Sequence, residues 1–234
     1  MKNYYNAVWK EKLSLPQYST LDKRWRSRWD FAFDKIAKNG KVLDVGCGDG
    51  VLGNFLIKDK QCEVSGLDIS EYALEISKSK GIDVKLCDIS GEIFPFEDNF
   101  FDFAVLSCSL EHILNPMNAL RETMRVLKVG GVALITLPNV AYITNRIAFL
   151  FGKTSKDFLH TNLGEGMHLQ FFNYKNEFEL AVLSKLENSK CIFKKGDLKN
   201  PKLYSSLSKS IRMFLIKVSP NLFSQYTHWA IKKI

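Results

Sequence analysis

From Lys41 to Leu137, short apolar runs alternate with stretches in which apolar residues recur every third or fourth position. Lys41 to Val45 reads as a short buried strand, Val51 to Asp59 as a helix and Cys62 to Asp68 as a second strand. Ser70 then caps a helix running to about Lys80, Val84 to Asp88 gives a third strand and Phe101 to Ser107 a fourth. Asn115 to Leu127 follows as a helix, Gly130-Gly131 as a turn and Val132 to Leu137 as a fifth strand. Strand and helix in this alternation predict an α/β fold with a doubly wound sheet.

The flanks follow other patterns. Trp25, Trp29, Phe33 and Ile36 recur at helical spacing with Lys23, Arg24, Arg26 and Arg28 on the other sides, so a helix capped by Asp22 and stopped by Gly40 is expected over the core. Tyr4, Tyr5 and Trp9 either close over a substrate or dock the terminus to the surface. Past Leu137, ITNRIAFLFGK reads as a short apolar helix, and TSKDFLHTNLGEGMHLQFF has the glycine, histidine and aromatic mixture of a lid or pocket insert. Cys191 to Gly196 is the expected sixth strand. Pro201 to Val218 reads as an inserted amphipathic helix with Leu203, Leu207, Ile211 and Leu215 on one stripe, and Tyr226 to Lys232 as the last strand.

A length of 234 residues suits one domain with insertions: a helical cap over 1–40, a core over 41–137, an insert over 138–172, and 173–234 completing the sheet around an inserted helix, 201–218. No apolar run approaches the roughly 18 residues of a membrane span, and MKNYYNAVWKEK lacks the apolar segment of a secretory signal. Five cysteines without a C-x-x-C pair predict reduced thiols and a cytoplasmic protein, with neither disulfides nor a zinc site. The net charge of +8 is concentrated after Pro201, where Lys202, Lys209, Arg212, Lys217, Lys232 and Lys233 stand with no acid. Such a tail serves solubility or meets an anionic substrate, a membrane surface or nucleic acid; the last is not expected, because the chain shows no separate recognition domain.

The chemistry centres on KVLDVGCGDG, Lys41 to Gly50. Gly46, Gly48 and Gly50 permit positive φ and let a ligand press against main-chain N–H groups, while the next helix offers its positive end. Two ligands compete for this turn. Gly48 to Gly53 satisfies G-x-G-x-x-G with Asp68 about twenty residues on, as in an NAD site. Asp-x-Gly-x-Gly-x-Gly from Asp44 fits a cationic ligand better, since the Asp44 carboxylate would repel a pyrophosphate. This second pattern resembles the first motif of the class I S-adenosylmethionine (SAM)-dependent methyltransferases.

The resemblance extends to Asp68, which would accept the ribose hydroxyls, and to Asp88-Ile89, similar to the family's adenine-recognising pair. It continues through FPFEDNFFDFAVLSCSLEHI, and the His168 to Phe172 run resembles the insert of methyltransferases grouped with the methionine-biosynthesis accessory family. It implies a seven-stranded, mostly parallel sheet whose last strand runs antiparallel between the fifth and sixth. The cofactor would be SAM, held by Asp44, Gly46, Cys47, Gly48, Gly50, Asp68, Ile69, Asp88, Ile89 and Ser107. His112, just after the fourth strand, is either the base that takes the acceptor's proton or a residue packed under the loop. Glu111 meets the ligand or holds the loop, and His160 and His168 are candidate substrate contacts. No metal is expected, because the histidines of the insert match no compact ligand spacing. Cys47 and Cys108 read as small apolar filler and His228 as structural.

The function expected is methyl transfer to oxygen or nitrogen of a small anionic acceptor, such as a sugar or phosphorylated intermediate of surface-glycan biosynthesis. The alternatives are a SAM-binding accessory module of a partner enzyme and an NAD-dependent oxidoreductase.

Overall fold

The computed structural model describes residues 1–14, 22–153, 168–173, 178, 183–197 and 207–234, with backbone alone for 22–28. A seven-stranded sheet organises them: β1 (Lys41–Val45), β2 (Glu63–Asp68), β3 (Asp83–Leu86), β4 (Phe101–Ser107), β5 (Leu127–Pro138), β6 (Ser189–Asp197) and β7 (Tyr226–Lys233). Their order across the sheet is β3-β2-β1-β4-β5-β7-β6. The pairs among β1 to β5 are parallel, whereas β7 runs antiparallel between β5 and β6.

Burial on both faces explains the sequence of the central strands. Leu43, Val45, Leu106 and Ile135 face one apolar cluster together with Ala119 and Leu120 of a helix α5 (Pro116–Val126). Val42, Val105 and Leu134 face another, built with Trp29, Ala32 and Ile36 at the end of a helix α2 (Asp22–Lys35) and with Leu52 and Leu56 of α3 (Val51–Lys60). A strand covered on both sides shows a continuous apolar run rather than an alternation. The remaining described helices that matter below are α1 (Lys2–Ser14), α4 (Glu71–Ser79), α6 (Ile143–Leu150) and a basic helix, Lys209–Val218.

Local chemistry sets several boundaries. The Ser70 side chain accepts from the Ala73 amide and starts α4, and the Asn115 side chain does the same with Asn118 ahead of Pro116 in α5. The turn before β4 is tied to α5 by Arg125, which donates to Asp98 at 2.6 Å and to the carbonyls of Phe94 and Phe96 at 2.9 Å each.

Several boundaries differ from the sequence reading. β3 stops at Leu86, so Asp88 lies in the loop after it. β5 does not begin after Gly130-Gly131 but runs through them from Leu127. Gly130 has φ 85° as a turn would require, yet pairing with β4 resumes on either side, Phe101 with Leu127 and Phe103 with Val132; the glycines make a bulge within a strand. Asp22 is the first residue of α2 rather than its cap. The amphipathic helix expected from Pro201 is described from Lys209, and Leu203, like the side chain of Trp25, lies outside the described residues.

Candidate active site

One cavity at the carboxyl ends of β1, β2 and β4 gathers most of the residues singled out from the sequence. Asp44, Gly46, Cys47, Gly48, Asp68, Ile69, Asp88, Ile89, Ser107 and His112 all line it. An open parallel sheet puts ligands at this edge, and the loops that leave it are short enough to keep the three carboxylates together.

The glycine turn works differently from the expectation. Gly46, Gly48 and Gly50 have φ of 79°, 54° and 73°, as their positions demanded. Their amides, however, are engaged within the protein: Gly46 N and Cys47 N donate to the Leu67 carbonyl at 2.8 and 2.9 Å, and Gly50 N donates to the Cys47 carbonyl at 3.0 Å. Gly48 N donates to Asp68 Oδ2 at 2.9 Å. At these four positions the turn therefore offers space rather than donors. A Cβ on Gly46 would lie 2.7 Å from the Cβ of Ser109, and one on Gly48 would run into the indole of Trp9. A pyrophosphate needs free amides; a cation does not.

Electrostatics point the same way. Asp44 is 4% exposed; burial first, and then the Asp68 and Asp49 carboxylates, push its pKa up to about 7. Burial also raises Asp68, against the lowering effect of the Ser70, Gly48 and Ile69 amides. A buried carboxyl group is costly to ionise without a partner, so this cavity favours a ligand that brings positive charge. Asp49 has its own cation, Lys80, at 3.1 Å. Cys47 is buried, and desolvation together with Asp68 and Asp44 holds its thiol well above the usual range, as suits filler rather than a nucleophile.

The roof of the cavity was the least legible part. Met1, Tyr5, Val8, Trp9 and Lys12 of the amino-terminal segment line it beside the sheet residues. α1 is held there by several polar contacts, among them an ion pair of 2.6 Å between Lys2 and Glu71 of α4. The Asn6 side-chain oxygen accepts from Ser70 Oγ at 2.8 Å, and Tyr5 donates its hydroxyl proton to the His112 carbonyl at 3.0 Å. Of the two roles weighed for Tyr5 and Trp9, closing over the ligand is the one this placement supports. Lys12 was not foreseen; a lone lysine in a helix carries no signal without the tertiary contact.

The loop after β4 is sharply shaped. Cys108 has φ 54°, a conformation costly for a side chain and frequent at functional sites. Leu110–His112 then forms one 3-10 turn. Glu111 is 1% exposed and is absent from the cavity lining. Its carbonyl accepts from the amides of Leu169 and Gln170 at 2.6 and 3.0 Å. That docking brings the His168 ring to 4.7 Å from the His112 ring. His160 lies outside the described residues. His228 is 1% exposed and shares a hydrogen bond of 3.0 Å with Thr136 Oγ1 inside the sheet, away from the cavity.

This strand order, with β7 antiparallel, is the fold of the class I SAM-dependent methyltransferases. Within it, the chain belongs to the family of the methionine biosynthesis protein MetW, whose model matches residues 26–226. The chain is similar to the demethylmenaquinone methyltransferase of Staphylococcus aureus (strain JH9), with 39% identity over 102 residues, 42% of each protein. It thus spans well under half the length of the curated relatives it matches. Among solved structures, it resembles the geranyl diphosphate C-methyltransferase of Streptomyces coelicolor A3(2), solved with Mg2+, geranyl diphosphate and S-adenosyl-L-homocysteine (17% identity, TM-score 0.62, 100% of this chain and 96% of that one). It also resembles a SAM-dependent methyltransferase from Archaeoglobus fulgidus (20% identity, TM-score 0.57, 92% and 94%).

Proposed function

We propose that this protein transfers a methyl group from SAM to a small acceptor. The observation that carries the reading is the convergence of Asp44, Asp68 and Asp88 on one cavity whose glycine-turn amides are already engaged. Bound there, SAM supplies a methyl group on a sulfonium for in-line displacement. Asp68 and Asp88 would accept the ribose and adenine donors, Ile89 would pack on the base, and Asp44 would balance the ligand's positive charge. Trp9 and Tyr5 exclude water from above, and much of the acceleration can come from such alignment and exclusion. His112 is the group we place beside the acceptor, as the base that receives its proton when the nucleophile is a hydroxyl or an ammonium.

An anionic acceptor is supported by the positive excess of the chain and by Lys12 in the cavity; a sugar or phosphorylated precursor of a surface glycan fits that charge. The acidic cavity and the engaged amides speak against NAD and oxidoreduction. The MetW match favours a second reading, in which the chain binds SAM and assists a partner enzyme. Free thiols at all five cysteines suit a reducing compartment such as the cytoplasm. Among the described residues no helix is long and apolar enough to cross a membrane. The basic helix Lys209–Val218 exposes Ile211, Met213, Phe214 and Val218, so peripheral contact with an anionic membrane is part of the proposal; liposome sedimentation independent of anionic lipid would remove it.

The test is a turnover screen that follows S-adenosylhomocysteine formation with sugar phosphates, nucleotide-linked sugars and demethylmenaquinone. Turnover with one of them, lost in His112→Ala, supports the enzyme. No turnover with any acceptor despite SAM binding favours the accessory module.

A further inference from the structure

We infer that Glu111, His112 and His168 form a three-ligand site for a divalent transition ion of the Zn2+ class, beside the cavity that His112 lines. One ligand atom from each of these side chains lies within 4.8 Å of the others, and Glu111 Oε1 is 3.9 Å from His112 Nε2. Around a tetrahedral ion with bonds near 2.1 Å such atoms stand about 3.4 Å apart, so the side chains need close in by only about an ångström.

The convergence is built rather than accidental. Glu111 and His112 share one 3-10 turn, and His168 opens a segment that the Leu169 and Gln170 amides fix to the Glu111 carbonyl. Farther along, the Val140 amide donates to the Phe172 carbonyl at 2.9 Å, and Gln170 Nε2 donates to the Leu114 carbonyl at 3.3 Å. The residues that follow His168 are therefore pinned both to the loop after β4 and to Val140. Two imidazoles with one carboxylate select zinc-like ions over Mg2+ or Ca2+, which prefer oxygen ligands. A carboxylate as buried as Glu111 gains from a cation close by. Sequence spacing pointed away from metal because it paired His168 with its neighbours in the insert, whereas its partners come from the loop after β4.

Three protein ligands leave a fourth position, which is the arrangement of a catalytic rather than a structural site. On the proposed methyl-transfer reading, on which only this role rests, an acceptor hydroxyl would occupy that position and release its proton to solvent. The ion holds the resulting oxyanion while its free lone pair forms the new bond to the methyl carbon and the sulfonium–methyl bond breaks, leaving a neutral thioether. In the loaded site His112 is a ligand, and the role of base belongs to the ion-free protein. The inference thus narrows the acceptor to an oxygen nucleophile.

The experiment uses full-length protein free of any polyhistidine tag and stripped with chelator, titrated with Co2+ and followed by visible absorption. Zinc content after gel filtration gives the stoichiometry. One equivalent is expected, with affinity lowered about a hundredfold or more in His168→Ala and in Glu111→Gln. His168 does not line the cavity, so His168→Ala should bind S-adenosylhomocysteine as the wild type does, which also shows that it folds. Absence of a cobalt spectrum and of retained zinc, or the same spectrum and stoichiometry in His168→Ala, overturns the site. Metal bound stoichiometrically without S-adenosylhomocysteine binding would instead leave the site standing and remove the methyltransferase reading.

Discussion

Asp68 Oδ2 accepts a hydrogen bond from the Gly48 amide at 2.9 Å, so the acid at the tip of β2 braces the glycine turn that follows β1. Its other oxygen accepts from Ser70 N at the same distance, where α4 begins. One carboxylate thereby fixes two walls of the cavity before any ligand arrives. Its remaining lone pairs stay available to donors such as ribose hydroxyls.

Gly48→Ala disturbs both halves of this arrangement. At φ 54° an L side chain is strained, and its Cβ would displace the Trp9 indole. We expect a loss of about 1–2 kcal/mol in stability and SAM binding weakened by at least tenfold, measured by denaturant unfolding and calorimetric titration.

Asp44 makes ligand binding depend on pH. With its folded-state pKa pushed up to about 7, above an unfolded value near 4, the folded protein retains a proton that the unfolded chain has lost. Its contribution to stability therefore falls as pH rises from about 4 to about 7. A cationic ligand favours the ionised form, so SAM affinity should rise by about tenfold between pH 6 and pH 8 through this group. Asp44→Asn should flatten that rise.

Trp9 tests the roof. The indole faces the cavity from α1 and covers Gly48, while the helix is held by Asn6 and Tyr5. Trp9→Ala should weaken S-adenosylhomocysteine binding about tenfold, the equivalent of roughly 1.4 kcal/mol of lost aromatic contact, and leave the melting temperature within a few degrees of wild type.

Far from the cavity, Gly196 on β6 is packed against Ser224 so closely that an added Cβ would overlap the serine hydroxyl. Its φ is not positive, so the effect of Gly196→Ala is overpacking alone. A loss of about 1–3 kcal/mol is expected in urea unfolding, without change in ligand affinity per folded molecule.

Much of this architecture was legible because it rests on local rules. The apolar runs of β1 and β4, the Ser70 cap and the positive φ at Gly46, Gly48 and Gly50 follow from burial and backbone sterics that a sequence displays directly. What escaped depends on partners distant in the chain. Gly130-Gly131 is indistinguishable from a turn until β4 offers a ladder on both sides of it. Engagement of the loop amides by Leu67 and Asp68 requires β2 in register beside β1. The placement of α1 over the cavity depends on Asn6 finding Ser70, and the approach of His168 to His112 depends on backbone bonds to Glu111. None of these has a periodicity.

The most direct test is calorimetric titration of the purified protein with S-adenosylhomocysteine and, separately, with NAD. One equivalent of S-adenosylhomocysteine bound at micromolar affinity, abolished in Asp68→Ala and matched by no heat with NAD, is the predicted result. Binding of NAD, or S-adenosylhomocysteine binding that survives Asp68→Ala unchanged, would contradict the assignment of this cavity to a sulfonium nucleoside.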